Sequence, residues 1–260
     1  MQNAIPPVSS LLDLTGRTVI VTGASGGIGS GIAGRLAEAG ANVVCHYLGN
    51  RAAAEALAAG IGEKAIAVRA DLSDDADVAA LMNAALERFA AVHALVNNAG
   101  FQPVAPLMQI SQEDWARMMA VNTAAPFLLT RAFAAHVEQR GGGGAVVNIA
   151  SIEGHQPAPG HAHYAASKAA LLMFTKAAGL ELGARGIRVN AISPGLIHRD
   201  GIEEGWPEGV ARWKEAAPLG RLGQPQDIGD AALFLLSDAA RWVSGADLIV
   251  DGGVSTRSTW

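Results

Sequence analysis

The sequence predicts an α/β fold, with a parallel sheet covered on both faces by helices, in one domain of 260 residues. Three observations predict it. Short β-branched runs alternate along the chain with Ala- and Leu-rich helical stretches. The first such run passes directly into a glycine turn and then a helix. Half of the residues are hydrophobic and only 17% are charged, as suits a sheet buried on both faces.

The elements follow in order. Residues 1–14 carry two prolines and read as a loosely held tail, without the basic and long apolar regions of a secretory signal. Strand one, 17–21, leads into TGASGGIG at 22–29 and a helix that closes at Gly40. In that setting glycines let backbone N–H groups approach a pyrophosphate at the helix start. Gly23, Ser25, Gly27, Ile28 and Gly29 are therefore candidate dinucleotide contacts. Strand two, 42–46, contains Cys45, the only cysteine, expected as an inert core thiol. An acid for a ribose 2′-OH is expected just after it, yet residues 39–54 hold no Asp or Glu. They offer His46, Tyr47, Asn50 and Arg51 instead, and Arg51 suits a 2′-phosphate. NADP(H) is thus expected over NAD(H).

Strand three, 65–69, is followed by Asp71 and Leu72, where ligands collect in open α/β sheets, and Ser73 is expected to cap the next helix. Strand four, 94–96, ends in NNAG at 97–100. Ser111 and Asp114 predict a capping box. Asn122 interrupts an apolar helical run, and Pro126 is expected to kink the helix there. A glycine turn at 141–144 precedes strand five, 145–149. Strand six, 187–192, leads to Pro194 and Gly195, and residues 194–222, with Trp206 and Trp213, read as a lid. A helix at 224–237, strand seven at 247–250 and a tail at 254–260 complete the chain.

The chemistry concentrates between Ser151 and Lys168. Tyr164 and Lys168 lie four residues apart on a predicted helix, so a phenol and an ammonium share one face. A free phenol has a pKa of about 10. A cation about 4 Å away is worth at most on the order of 4 kcal/mol, enough to bring it towards proton exchange at neutral pH. Ser151 ends strand five, where its hydroxyl can donate to an oxygen held near Tyr164.

Together these residues resemble the short-chain dehydrogenase/reductase family over nearly the whole chain. TGASGGIG, Asp71, NNAG, Asn122, Ser151, Tyr164-x3-Lys168 and Pro194-Gly195 stand in the family's order and spacing. The resemblance implies a doubly wound Rossmann-type sheet of seven parallel strands in the order 3-2-1-4-5-6-7. It implies catalysis by Asn122, Ser151, Tyr164 and Lys168, with Tyr164 as acid/base, Lys168 lowering its pKa, and Asn122 holding a relay water. Asp71 and Leu72 would meet the adenine, and Asn98, Ala99 and Gly100 would line the cofactor. Pro194, Gly195 and the backbone of Ile197 would serve the carboxamide. A homotetramer is implied, with the last strand and the tail ending in Trp260 at an interface. Two positions depart from the pattern. Gly26 stands where NADPH-using relatives often carry a basic residue, and Arg199 stands where a Thr is common. Arg199 in the pocket would favour an anionic substrate.

Glu153, His155, His161 and His163 crowd the segment before Tyr164 and suggest a polar substrate, whereas Trp206 suggests a partly apolar one. The implied activity is reversible hydride transfer between the nicotinamide and a secondary alcohol or carbonyl, with a ketone or 3-oxoacyl reductase favoured. The alternatives are a sugar dehydrogenase of glucose type and a silent cofactor-sensing binding protein. The net charge of −5 comes without a basic stripe, so no nucleic-acid partner is expected. No metal set at ligand spacing appears, no apolar run approaches a membrane span, and the cytoplasm is the expected location. Ser151 lacks the G-x-S-x-G elbow of a hydrolase.

Overall fold

The computed structural model describes residues 5–256. Seven parallel strands form one sheet in the order 3-2-1-4-5-6-7: β1 Thr18–Val21, β2 Asn42–Tyr47, β3 Ala65–Arg69, β4 Ala94–Asn97, β5 Gly144–Ile149, β6 Ile187–Pro194 and β7 Asp247–Val250. The helices are α1 Gly27–Glu38, α2 Arg51–Ile61, α3 Asp75–Phe89, α4 Gln112–Met119, α5 Ala125–Arg140, α6 Ala162–Leu182, α7 Ile202–Gly205, α8 Pro207–Ala216 and α9 Pro225–Leu236.

The period-two geometry of β1 divides the core. Val19 and Val21 face one layer, with Ile32 and Leu36 of α1 and Ile228 of α9. Ile20 faces the other layer, with Leu81 of α3 and Leu129 and Phe133 of α5. Both faces of the strand are therefore dry, which explains its unbroken apolar run. Each fully buried side chain of this size contributes about 1.5–3 kcal/mol.

Three expectations need correction. The segment up to residue 14 is not loosely held throughout: Leu14 is buried in the core, its N–H donates to Ala39, and Leu11 accepts from Ala239 N–H. Burial of that leucine outweighs the two prolines. Ser73 is not the cap of α3. Asp74 takes that place, accepting from Ala76 and Asp77 N–H, while Ser73 donates to Asp71. Pro126 does not kink a helix at Asn122. The chain instead widens into a π turn, Ala120–Ala124, and Pro126 sits at the start of α5, where a missing N–H costs little. The Ser111–Asp114 capping box forms as expected.

Three imidazoles pin loops to the sheet by accepting backbone N–H groups. His46 Nδ1 accepts from Gly23 at 3.0 Å while its Nε2 donates to Ala70 carbonyl at 3.0 Å. His93 Nδ1 accepts from Thr18 at 3.0 Å, and His136 Nε2 accepts from Val92 at 3.2 Å. An accepting ring nitrogen cannot carry a proton, and burial is the leading cause that holds all three below the ordinary histidine value. The unfolded chain takes up these protons near pH 6.5, whereas the folded chain refuses them, so stability drops as pH falls below about 6.5. The urea midpoint is expected to fall steadily from about pH 7 towards about pH 5, and less steeply in His46→Asn. A flat midpoint across that window would count against neutral acceptors at these positions.

Candidate active site

The C-terminal strand ends carry the site. Thr22, just past β1, accepts from the N–H groups of Asn98 and Ala99, both at 2.9 Å. Asn98 Nδ2 donates back to Thr22 carbonyl at 2.8 Å. The TGAS and NNAG turns are thus laced together. Gly23 has φ +63, and a Cβ there would lie 3.0 Å from Ala99 Cα. A Cβ at Gly29 would overlap Gly23 carbonyl and sit 2.6 Å from Asn98 Nδ2. The beginning of α1 has no side-chain cap and no acid in its first turn. Bare N–H groups at a helix start, beside a turn that excludes side chains, fit the pyrophosphate of a dinucleotide. Ser25 and Ile28 are half-buried in the same turn.

A cleft opens beside this turn, lined by His46, Leu48, Asp71, Leu72, Ala99 and Val121. Its apolar walls and one carboxylate suit an adenine. Asp71 accepts from Ser73 Oγ at 2.6 Å and from Ser73 N–H at 3.0 Å, and these bonds hold its carboxyl below the usual range. Tyr47 is buried at the end of β2. Asn50 is the cap of α2, accepting from Ala53 N–H. Arg51 is 73% exposed and pairs with Glu55 at 2.7 Å along its own helix.

Asn122 is fully buried on the π turn. Its Oδ1 accepts from Phe101 N–H, and its Nδ2 contacts Phe101 carbonyl and Ser167 Oγ, all at 3.1 Å. The side chain therefore braces the segment after NNAG. Lys168 donates to Ile149 carbonyl at 2.8 Å, and burial brings its ammonium down to about 8. The Ser151 hydroxyl accepts from Glu153 N–H at 3.1 Å and stands close enough to Tyr164 to favour its ionised form. Tyr164 is pushed up to about 12. Burial is the leading cause, the Ser151 hydroxyl pulls the other way, and the charge of Glu153 adds to the rise. The ammonium lies 5.6 Å from the phenol ring centroid and is committed to Ile149. At neutral pH the phenol therefore keeps its proton.

The 194–222 segment, expected to act as a lid, begins at Pro194 and Gly195, where Gly195 N–H donates to Val250 carbonyl. Ile197 pairs with Gly223, which ties the two ends of the lid together. Ile202, Val210 and Leu222 give it a small core of its own. Trp206 is half exposed and packs on Gly209 within the lid, and the Arg199 side chain is exposed.

Of the polar crowd, Glu153 and His161 come together beside Tyr164 and His155 does not. His155 Nε2 meets Asp247 of β7 at 2.6 Å, and Ser193 donates to the same carboxylate. His163 is buried and has no hydrogen bond to Ser151. Gln102 was not anticipated: its Nε2 donates to Glu153 at 2.8 Å. Its position directly after NNAG and Phe101 is the signal that marks it. Among the described residues no group of His, Cys, Asp and Glu has the makings of a metal site, and no helix is long and apolar enough to cross a membrane.

Comparison with known proteins agrees with this geometry. The family model described as enoyl-(acyl carrier protein) reductase matches residues 23–255. A 3beta-hydroxysteroid dehydrogenase 1 from Eggerthella lenta is 40% identical over 248 residues, 94% of this chain and 95% of that protein. Glucose 1-dehydrogenase 2 from Bacillus subtilis is 37% identical over 248 residues, 94% of this chain and 96% of that protein. The crystal structure of a gluconate 5-dehydrogenase from Burkholderia cenocepacia, in complex with NADP and tartrate, superposes with a TM-score of 0.88 at 33% identity, covering 96% of this chain and 99% of that one. With a seven-stranded sheet in the order 3-2-1-4-5-6-7 beneath that likeness, the chain belongs to the short-chain dehydrogenase/reductase family.

Proposed function

We propose that this protein transfers a hydride between NADP(H), favoured over NAD(H), and a CH–OH or carbonyl group of a small polar molecule. The observation that carries the reading is the convergence of Tyr164, Ser151 and Lys168 at the end of β5, beside Gly100 of the NNAG turn that is laced to the glycine loop. When bound, the nicotinamide supplies the hydride chemistry. The protein supplies the proton and its placement. Tyr164 holds the proton that passes to the substrate oxygen on reduction, and Ser151 shares that oxygen through its hydroxyl. Lys168 keeps a cation beside the phenol as it gives up its proton. Asn122 holds the 100–102 segment against them. A silent binding protein would have no need of this arrangement.

The relatives' names span steroid, sugar and sugar-acid substrates, whose common feature is a secondary alcohol or its carbonyl. Between a ketone or 3-oxoacyl reductase and a sugar-type dehydrogenase, the polar wall of Gln102, Glu153 and His161 favours the second. The acid-free end of β2 and the NADP held by the gluconate dehydrogenase support the cofactor preference. Self-association, to a tetramer, is supported by exposed apolar side chains on α5 and α6, among them Phe127, Met173 and Leu180.

Three outcomes test this reading. Tyr164→Phe is expected to lose nearly all turnover while still binding cofactor by fluorescence titration; substantial retained turnover would sink the acid/base role. Arg51→Ala is expected to raise KM for NADPH about tenfold or more and leave NADH nearly untouched, since a bond between charged groups is worth about 1.5–3 kcal/mol. Equal effects on both cofactors would remove Arg51 from the 2′-phosphate. The kcat/KM for carbonyl reduction is expected to fall as pH rises through about 8, where Lys168 loses its proton. A profile that stays level to about pH 10 would show that the ammonium charge is not needed.

A further inference from the structure

Hydride transfer accounts for Tyr164, Ser151 and Lys168 but not for a second polar cluster beside them. Gln102, Glu153 and His161 come from three separate segments: the stretch after β4, the short turn after Ser151 and the start of α6. Glu153 accepts from Gln102 Nε2 through Oε1 and pairs with His161 Nδ1 through Oε2, both at 2.8 Å. The side chains of Glu153 and His161 are each only 16% exposed. The His161 ring lies edge-on to Tyr164, with centroids 6.2 Å apart.

The protons follow from the chemistry of the donors. A carboxylate can only accept, so Nδ1 of His161 must carry the hydrogen that it shares with Glu153. Gln102 Nε2 lies 3.3 Å from that same Nδ1, which carries a hydrogen and cannot accept, so this is proximity rather than a second bond. What remains uncommitted, besides one N–H of Gln102, is Nε2 of His161 and the amide oxygen of Gln102, neither of which has a protein partner among the described residues. Both are acceptors when the imidazole is neutral, and a carboxylate behind Nδ1 makes Nε2 the stronger one.

Neither stapling nor catalysis explains the cluster. Backbone already joins the two loops: Ala105 N–H donates to Gly160 carbonyl at 2.9 Å, and Val104 packs against Gly160. The charge of Glu153 raises the Tyr164 pKa, which opposes alcohol oxidation. A mostly buried carboxylate–imidazole pair with free acceptors, its ring centroid 6.2 Å from that of Tyr164, has the form of a recognition site.

We propose that Gln102, Glu153 and His161 bind a second hydroxyl of the substrate, on the carbon next to the one that is oxidised. The preferred substrates are then vicinal diols, such as polyols and sugars, and the matching α-hydroxyketones, rather than compounds with a single oxygen. The inference rests on Tyr164 marking the reacting carbon, as proposed above. Two readouts separate its failure from failure of that reading. The first is binding without turnover: tryptophan-fluorescence titration of 2,3-butanediol and of 2-butanol into the Tyr164→Phe protein loaded with NADP+. The diol is expected to bind at least tenfold tighter, and adding Glu153→Gln or His161→Phe is expected to erase the difference. The second is the ratio of kcat/KM for the same two alcohols. It is expected to favour the diol and to fall at least tenfold in each single variant, chiefly through KM. Equal binding of the two alcohols, or equal loss on both in the variants, would overturn the inference. Selective diol binding with no hydride transfer to either would uphold the recognition site and overturn only the oxidoreductase reading. Glu153→Asp, which keeps the carboxylate, is expected to retain part of the preference; a collapse identical to that of Glu153→Gln with a lowered Tm would assign the cluster to folding instead.

Discussion

The ammonium of Lys168 is shut off from solvent and donates to a carbonyl 19 residues earlier in the chain, at the end of β5. A charge taken out of water costs several kcal/mol unless its surroundings answer it, and here the answer is partial: the group keeps one carbonyl partner and its pKa falls. Much of the local architecture follows from that burial. α6 must lie close on β5, and the neighbouring backbone must leave room. Gly100 does so: a Cβ there would sit 3.0 Å from Asn122 Oδ1 and 3.7 Å from Lys168 Nζ. The π turn at Ala120–Ala124 turns Asn122 inwards to brace the same segment, and Ser167 links the two by bonding both Asn122 and Tyr164 carbonyl. The proton donor, its cation and the wall opposite are thus held by one connected set of contacts.

Beneath that set lies a polar ladder within an otherwise apolar core. Asn97 of β4 donates to Asn148 of β5 at 2.8 Å, and Asn148 donates to Thr175 of α6 at 2.9 Å. Asn97 and Asn148 are direct register partners in the sheet. A slip of one residue would bury both amides against hydrocarbon, so the ladder specifies register where the catalytic strand ends must agree. It also ties α6, which carries Tyr164 and Lys168, to the two strands that deliver NNAG and Ser151. Precision at the site is therefore inherited from rigid elements, while the 194–222 segment keeps a small core of its own.

Legibility in the sequence followed the range of each interaction. β3 and β7 carry the boundaries read from the sequence, because short apolar runs between polar and turn residues are local signals. Tyr164 and Lys168 were legible for the same reason, since four residues on one helix set their separation. What stayed hidden depends on distant partners. His155 turns to Asp247, 92 residues away, and nothing near His155 announces that pairing. Gln102 reaches Glu153 across 51 residues. Asn122 was noticed as an anomaly, but the choice of a π turn over a proline kink was decided by the Phe101 backbone it had to meet. Ser73 and Asp74 are both good caps by type, and only the demand of Asp71 for the Ser73 hydroxyl decides between them.

The same reasoning explains why an acid beside the reacting phenol can persist. Glu153 makes ionisation of Tyr164 harder, and burial pushes in the same direction. A site tuned only for alcohol oxidation would place no carboxylate there. The carboxylate also polarises His161 and fixes its tautomer, and with Gln102 it forms a wall in which each committed donor has an acceptor. The cost to proton transfer falls on every substrate alike, whereas the gain in binding falls only on those with a second hydroxyl to offer. A difference of that kind is specificity: the wall slows the common chemistry slightly and gives one class of substrate the binding energy to overcome it.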